Sequence, residues 1–210
     1  MSNRISSCFF KTLEDEIKSM WGNIRCIDVY NLYFDFWKTL KEETGSADGF
    51  TGLSEIIVFI ILKELIEKEY GELKRREYSN DTNYFYNPKF AIGRGLTINI
   101  GKGKRRKPDI VIWRDPGENL RKIPDGAIEV KIYASEGIRT VRDTIDRLKA
   151  LKNASRSNSF KGMIIFYTSP PEEGKKLLKR LKKDGWLDYL ILTEDKNEDF
   201  VNRLRKHLNI

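Results

Sequence analysis

Three side chains in the middle of the chain have types and spacing suited to cutting phosphodiesters: Asp109, Glu129 and Lys131. They lie in two apolar runs, K-P-D-I-V-I-W (107–113) and A-I-E-V-K-I-Y (127–133), joined by a polar loop. Each run reads as a strand. In the second, Ile128, Val130 and Ile132 point to one face, and Ala127, Glu129, Lys131 and Tyr133 to the other. Taken alone, that pattern is a half-buried strand with a solvent-facing Glu–Lys pair. Asp109 adds a second reading. Pro108 lacks an N–H and suits the first position of a strand, so Asp109 stands where its strand emerges. An antiparallel register can set Asp109 beside Glu129, and like charges facing each other across strands are destabilising. A cation between them resolves the conflict. Hard oxygen ligands without nearby His or Cys suit Mg²⁺ or Mn²⁺ rather than zinc. Such an ion acidifies water and neutralises phosphate charge, while a neighbouring ammonium stabilises developing negative charge.

Composition narrows the alternatives. The 210 residues are enough for one domain with its own core. The formal net charge of +8 favours an anionic partner, with nucleic acid ahead of anionic membrane. The two cysteines, Cys8 and Cys26, form no C-x-x-C pair, so a disulfide framework or zinc site is not expected. His207 is the single histidine, which removes Ser-His-Asp, Cys-His and His-based metal chemistry. The opening residues lack the apolar core of a signal peptide, and the longest apolar run, 56–62, is too short to span a bilayer. A soluble, intracellular, cytoplasmic protein is expected, with no membrane partner.

The elements that must position the three residues follow from periodicity and turn residues. Residues 9–21 and 27–43 read as amphipathic helices, and 42–52 as a connecting loop. A helix over 53–70, apolar almost all round in its first half, is expected to be buried against a sheet. It carries Glu55 in its first turn, where a carboxylate suits the helix dipole. Residues 71–88 read as a loop or a poorly formed strand. Strands follow over 90–100, 109–113 and 127–133, with 101–107 (G-K-G-K-R-R-K) as a basic hairpin tip between the first two. Next come a helix over 136–152, a strand over 162–168 and a helix from the capping box Ser169-Pro-Pro-Glu172 to 183. A strand over 186–193 and a last helix capped by Asp195-x-x-Glu198 complete the chain. The three-strand meander is expected to be antiparallel, and the helix crossovers to impose parallel or mixed pairing afterwards. The division expected is a helical N-terminal extension, 1–51, and an α/β domain, 52–210.

Pro108-Asp109 followed by Glu129-Val130-Lys131, in a helix, three strands, helix, strand order, resembles the PD-(D/E)XK nuclease superfamily over roughly residues 52–193. Among its members, the chain resembles archaeal Holliday-junction resolvases and related nucleases of archaeal viruses, which are small, basic and commonly dimeric. The resemblance implies a restriction-endonuclease-like core: a central mixed β-sheet flanked by helices. It implies Asp109, Glu129 and Glu55 as ligands to Mg²⁺ or Mn²⁺. Lys131 would orient or help deprotonate the attacking water and stabilise phosphate charge. The activity implied is metal-dependent endonucleolytic cleavage of DNA, with a branched or four-way-junction substrate favoured, by a homodimer. Some relatives carry Gln in the helix after E-x-K. This chain has no Gln at all; Arg139, Arg142 and Asp143 occupy that helix instead.

The densest basic run, Lys102, Lys104, Arg105, Arg106 and Lys107, abuts Asp109 and is expected to contact a phosphate backbone together with Arg139 and Arg142. The cluster of Lys175, Lys176, Lys179, Arg180, Lys182 and Lys183 reads as a solvated helix face. Gly95 to Lys102 misses the phosphate-loop spacing, and Gly103 replaces its Ser or Thr. Gly93-x-Gly95 lies in a strand pattern and opens no helix, so no nucleotide cofactor is expected. His207, in the last helix, reads as a surface or capping residue. Two other readings stay open: a catalytically inactive nucleic-acid-binding protein on the same fold, and an unrelated α/β protein with a structural Glu–Lys pair.

Overall fold

The helix of near-uniform apolarity, α3 (Leu53–Tyr70), is buried as its composition requires. Leu53, Ile57, Val58, Ile61, Leu62, Leu65 and Ile66 are all covered. In the computed structural model it packs on one face of a seven-stranded sheet. The structure describes residues 2–45, 52–79, 82–117, 120–132, 137–155 and 159–210.

Two helices precede it, α1 (Ser2–Ser19) and α2 (Cys26–Thr44). Among the described residues nine strands follow: β1 (Lys74–Ser79), β2 (Thr82–Tyr86), β3 (Phe90–Arg94), β4 (Ile98–Gly101), β5 (Lys104–Arg106), β6 (Ile110–Arg114), β7 (Gly126–Lys131), β8 (Lys161–Phe166) and β9 (Leu187–Ile191). Helices α4 (Ile138–Ser155) and α5 (Glu172–Lys182) connect β7 to β8 and β8 to β9, and α6 (Phe200–Leu208) ends the chain. The large sheet runs β1-β2-β3-β6-β7-β8-β9, while β4 and β5 form a separate two-stranded ribbon. Pairing is antiparallel from β1 to β7 and parallel from β7 to β9. The fold is thus α/β, with a mixed central sheet flanked by helices.

Strand parity builds a core on each face. Ile92, Ile110, Ile112, Ile128, Val130, Met163 and Ile165 pack with α1, α2, α3 and α6. Ala91, Val111, Trp113, Ala127, Ile164 and Phe166 pack with α4 and α5. Helices α1 and α2 therefore share one core with the sheet, and the boundary expected at 51/52 lies outside the described residues. No helix among the described residues is long and apolar enough to cross a membrane.

Several local expectations are corrected. Of the loop or poorly formed strand expected over 71–88, the structure has strand, and two of them: β1 and β2 pair antiparallel at the sheet's edge. The run 90–100 is not one strand. A Cβ at Gly93 would come within 2.3 Å of Leu96 Cδ1, so Leu96 folds back over the glycine. Gly95, at φ +62°, supplies the left-handed turn that this needs. β4 therefore leaves the sheet, and the basic tip 101–107 belongs to the small β4–β5 ribbon. Ser169 caps no helix; its Oγ reaches Glu194 Oε1 at 2.6 Å, and α5 starts after Pro171 without a side-chain cap. Asp199, not Asp195, caps α6, accepting the Asn202 N–H at 2.8 Å. Asp195 instead accepts the Ile191 N–H at 2.7 Å.

The long connection between β6 and β7 is tied down by its own polar groups. The buried Asp125 accepts the Arg114 N–H at 2.8 Å, and Trp113 Nε1 donates to the Arg121 carbonyl at 2.9 Å. The two strands carrying Asp109 and Glu129 can therefore pair despite the loop between them.

Candidate active site

The β6–β7 ladder pairs Ile110 with Ile128 and Val111 with Ala127. Continuing that register one step puts Asp109 opposite Glu129, at the end where β6 begins. Asp109 is held from two sides. Its carbonyl accepts the Gly95 N–H at 2.9 Å. Its Oδ2 accepts the Val130 N–H at 2.7 Å, so the side chain takes over the ladder where backbone pairing stops.

Lys131, two residues after Glu129 and on the same face, closes the arrangement. Its Nζ lies 3.1 Å from Asp109 Oδ2 and 2.9 Å from Glu129 Oε2. It also donates to the Val130 carbonyl at 3.0 Å, so all three ammonium donors are engaged. The conflict expected between facing carboxylates is resolved here by the chain's own ammonium.

Glu129 is wholly buried. Burial, and then the Asp109 charge, push its carboxyl up to about 7, against the pull of Lys131 and Arg147. Lys131 is also buried, which alone would favour its neutral form. The carboxylates of Glu129 and Asp109 outweigh that and raise its pKa above the ordinary lysine value, keeping it an ammonium.

Arg147, on α4, is the partner that strand reasoning missed. Its Nη1 lies 3.0 Å from Glu129 Oε2 and 3.3 Å from Oε1. The only signal in the sequence was a cation on a helix that must pack over β7. Glu55 sits in the first turn of α3 beside Asp109. Burial and the Asp109 charge raise its pKa, while Arg94, Lys131 and Lys107 oppose the rise. Its ion-pair partner is Arg94 Nη1 at 3.6 Å. Arg94, on β3, is a second cation that sequence reasoning did not single out.

The expected basic contacts divide in two. Lys107 lines a cleft with Asp109 and Glu55. Lys102, Lys104 and Arg105 stand exposed on the β4–β5 ribbon, with Arg106 half-buried. β4 packs against α4, which puts the ribbon on the same side of the sheet as Arg139 and Arg142. Both arginines are exposed, and Arg139 pairs with Asp143 at 3.8 Å. His207 is half-buried rather than a surface group, and its Nε2 donates to the Gly162 carbonyl at 2.7 Å.

Chemically, the residues at the end of β6 and β7 fit a hard divalent cation. The donors are carboxylate oxygens, and the Asp109 bonds from Val130 and Lys131 both fall on Oδ2, leaving Oδ1 without a donor among the described residues. Among those residues no three His, Cys, Asp or Glu side chains are gathered into a ready-made cage. The donor set is the Asp109–Glu129 pair with Glu55 alongside. Comparison with protein-family models, curated proteins and solved structures finds no match to this chain.

Proposed function

We propose that the protein is a metal-dependent DNA endonuclease of the PD-(D/E)XK type, hydrolysing phosphodiester bonds with branched DNA as the favoured substrate. One observation carries the reading: a single ammonium, Lys131, bridges two carboxylates that face each other across adjacent strands, Glu129 buried and Asp109 partly open to the cleft. Asp109 and Glu129 would hold Mg²⁺ or Mn²⁺, with Glu55 within electrostatic reach. The chemistry such an ion supplies when bound is acidification of water and neutralisation of phosphate charge.

The protein's own residues divide the remaining work. Asp109, fixed through backbone and side chain, provides an oxygen of set position. Lys131, held as an ammonium by the two carboxylates beside it, would stabilise charge on the phosphate. Water oxygen bonds to phosphorus as the bond to the leaving strand oxygen breaks, and that oxygen takes up a proton. Lys107 and the exposed cations of the β4–β5 ribbon supply backbone contacts near the site.

The test is cleavage of labelled duplex and four-way-junction DNA with Mg²⁺ or Mn²⁺. Asp109→Asn and Lys131→Ala are expected to abolish cutting while each variant still melts cooperatively. Unchanged cutting in both would remove these residues from the mechanism. A second reading, a DNA-binding protein without activity, is favoured by one contact: Arg147 already engages both Glu129 oxygens. Calorimetric titration separates the two, because the inactive protein would show no Mn²⁺ binding that depends on Asp109 and Glu129.

A further inference from the structure

On the α3 face of the sheet, an open cleft of about 600 Å³ leads away from Asp109 towards the β1–β2 hairpin. Its floor follows from strand parity. Arg75 lies opposite Phe85, and Phe85 opposite Ile92, a residue of the core under α3. Asn83 and Arg94, each two residues along from these, share that face. Phe59 of α3 forms the wall, its ring centroid 5.8 Å from that of Phe85. Lys107 stands at the mouth beside Asp109.

Three features decide what fits. The cleft lies within the ~300–1,000 Å³ typical of small-ligand sites, so it takes nucleotide-sized groups. Arg75, Arg94 and Lys107 outnumber Glu55 and Asp109 along it; Arg94 pairs with Glu55, while the side chains of Arg75 and Lys107 form no ion pair among the described residues. Phe59 and Phe85 are partly buried and pack on each other beside these cations, with Lys63 Nζ 5.7 Å from the Phe85 ring centroid. Alternating cations and rings match a chain of phosphates and bases. A paired base keeps its faces inside the duplex stack, and only an unpaired one offers a face to a protein ring.

We infer that this cleft binds an unpaired DNA strand running from the Asp109 end towards the β1–β2 hairpin, making junctions with a single-stranded arm the substrate class. This rests on the nuclease reading for its direction, but the cleft itself is tested without catalysis.

The experiment uses the full chain in EDTA, with a fluorescein-labelled oligothymidine and a blunt duplex of equal length, followed by anisotropy over a salt series. The single strand is expected to bind more tightly than the duplex. Phe85→Leu, which keeps apolar volume but removes the ring, should weaken strand binding by about 5- to 150-fold, the range of one lost base–aromatic stack. Arg75→Ala, at an exposed position that leaves the fold intact, should weaken strand binding and flatten its salt dependence. Duplex binding should be unchanged in both. Equal affinity for strand and duplex, or an Arg75→Ala variant that binds the strand as tightly as the parent, would overturn the assignment. Complete displacement of the strand by equimolar thymidine monophosphate would overturn it too, by identifying a free nucleotide as the occupant. No metal is present, so a failed cleavage assay leaves these expectations standing, and failure here leaves metal-dependent cutting untouched.

Discussion

Arg147 holds both carboxylate oxygens of Glu129, at 3.0 and 3.3 Å, across the interface between α4 and β7. Glu129 is 0% exposed, so this contact compensates a charge that water cannot reach. Removing one partner of a buried pair costs more than the pair contributes, because the other charge stays desolvated. The Arg147 side chain is 36% exposed, which lowers the figure from that of a fully buried pair. Arg147→Ala is expected to lose about 1–3 kcal/mol in urea denaturation. Adding Glu129→Gln should recover part of it, giving a non-additive double-mutant cycle.

Lys131 supplies the cation that separates Asp109 from Glu129. Lys131→Met leaves the two carboxylates facing each other with only Arg147 to offset them, so stability should fall. Added Mn²⁺ should then raise the melting temperature of the variant more than that of the parent, since an ion binding the folded state stabilises by mass action. Equal shifts in both proteins would mean that the ion does not occupy the place between the carboxylates.

His207 is held neutral. Burial depresses its pKa below the ordinary histidine value, although the Gly162 carbonyl and Asp188 oppose the shift. The unfolded chain therefore takes up a proton at higher pH than the folded one. The sign follows: this residue's contribution is complete above the ordinary histidine pKa of about 6.5 and is lost as pH falls towards the depressed folded value. His207→Gln, which keeps a donor for the Gly162 carbonyl, should flatten that part of the stability–pH curve. Chemical denaturation at a series of pH values between about 7.5 and 4.5 measures it.

Gly93 is required by Leu96. A methyl group at Gly93 would lie 2.3 Å from Leu96 Cδ1 and 2.8 Å from Cγ, and Leu96 is fully buried. Gly93→Ala is expected to cost about 1–3 kcal/mol, the usual range for overpacking. Combining it with Leu96→Ala should relieve the clash while leaving the cost of the lost leucine. Thermal melts of the two single variants and the double variant check the coupling.

What was legible in the sequence depended on how local the determining physics was. Helix α3 over 53–70 was legible because its first half is apolar almost all round, as a buried helix is. The Asp109–Glu129 opposition was legible because strand parity and one antiparallel register fix it. The β1–β2 hairpin was hidden because Lys74, Arg75, Arg76 and Glu77 form a run of charges without apolar alternation, as an edge strand with little to bury allows. The break between β3 and β4 depends on Leu96 folding over Gly93, a contact that periodicity does not register. Both misplaced caps had the right residue types near the right helix. Ser169 is used in a tertiary bond to Glu194 instead, and Asp195 in a local one from the Ile191 N–H. Arg147 was overlooked because which cation of α4 faces Glu129 depends on how that helix lies across the sheet.

The charge run that obscured β1 has another effect. β1 ends the seven-stranded sheet, so one side of its backbone has no strand beside it among the described residues. Such an edge can template the addition of another chain and start aggregation. Lys74, Arg75 and Arg76 are all exposed along it, with Glu77 beside them, and charged side chains on an edge strand are one way of discouraging such addition. The same charges leave the edge attractive to a polyanion.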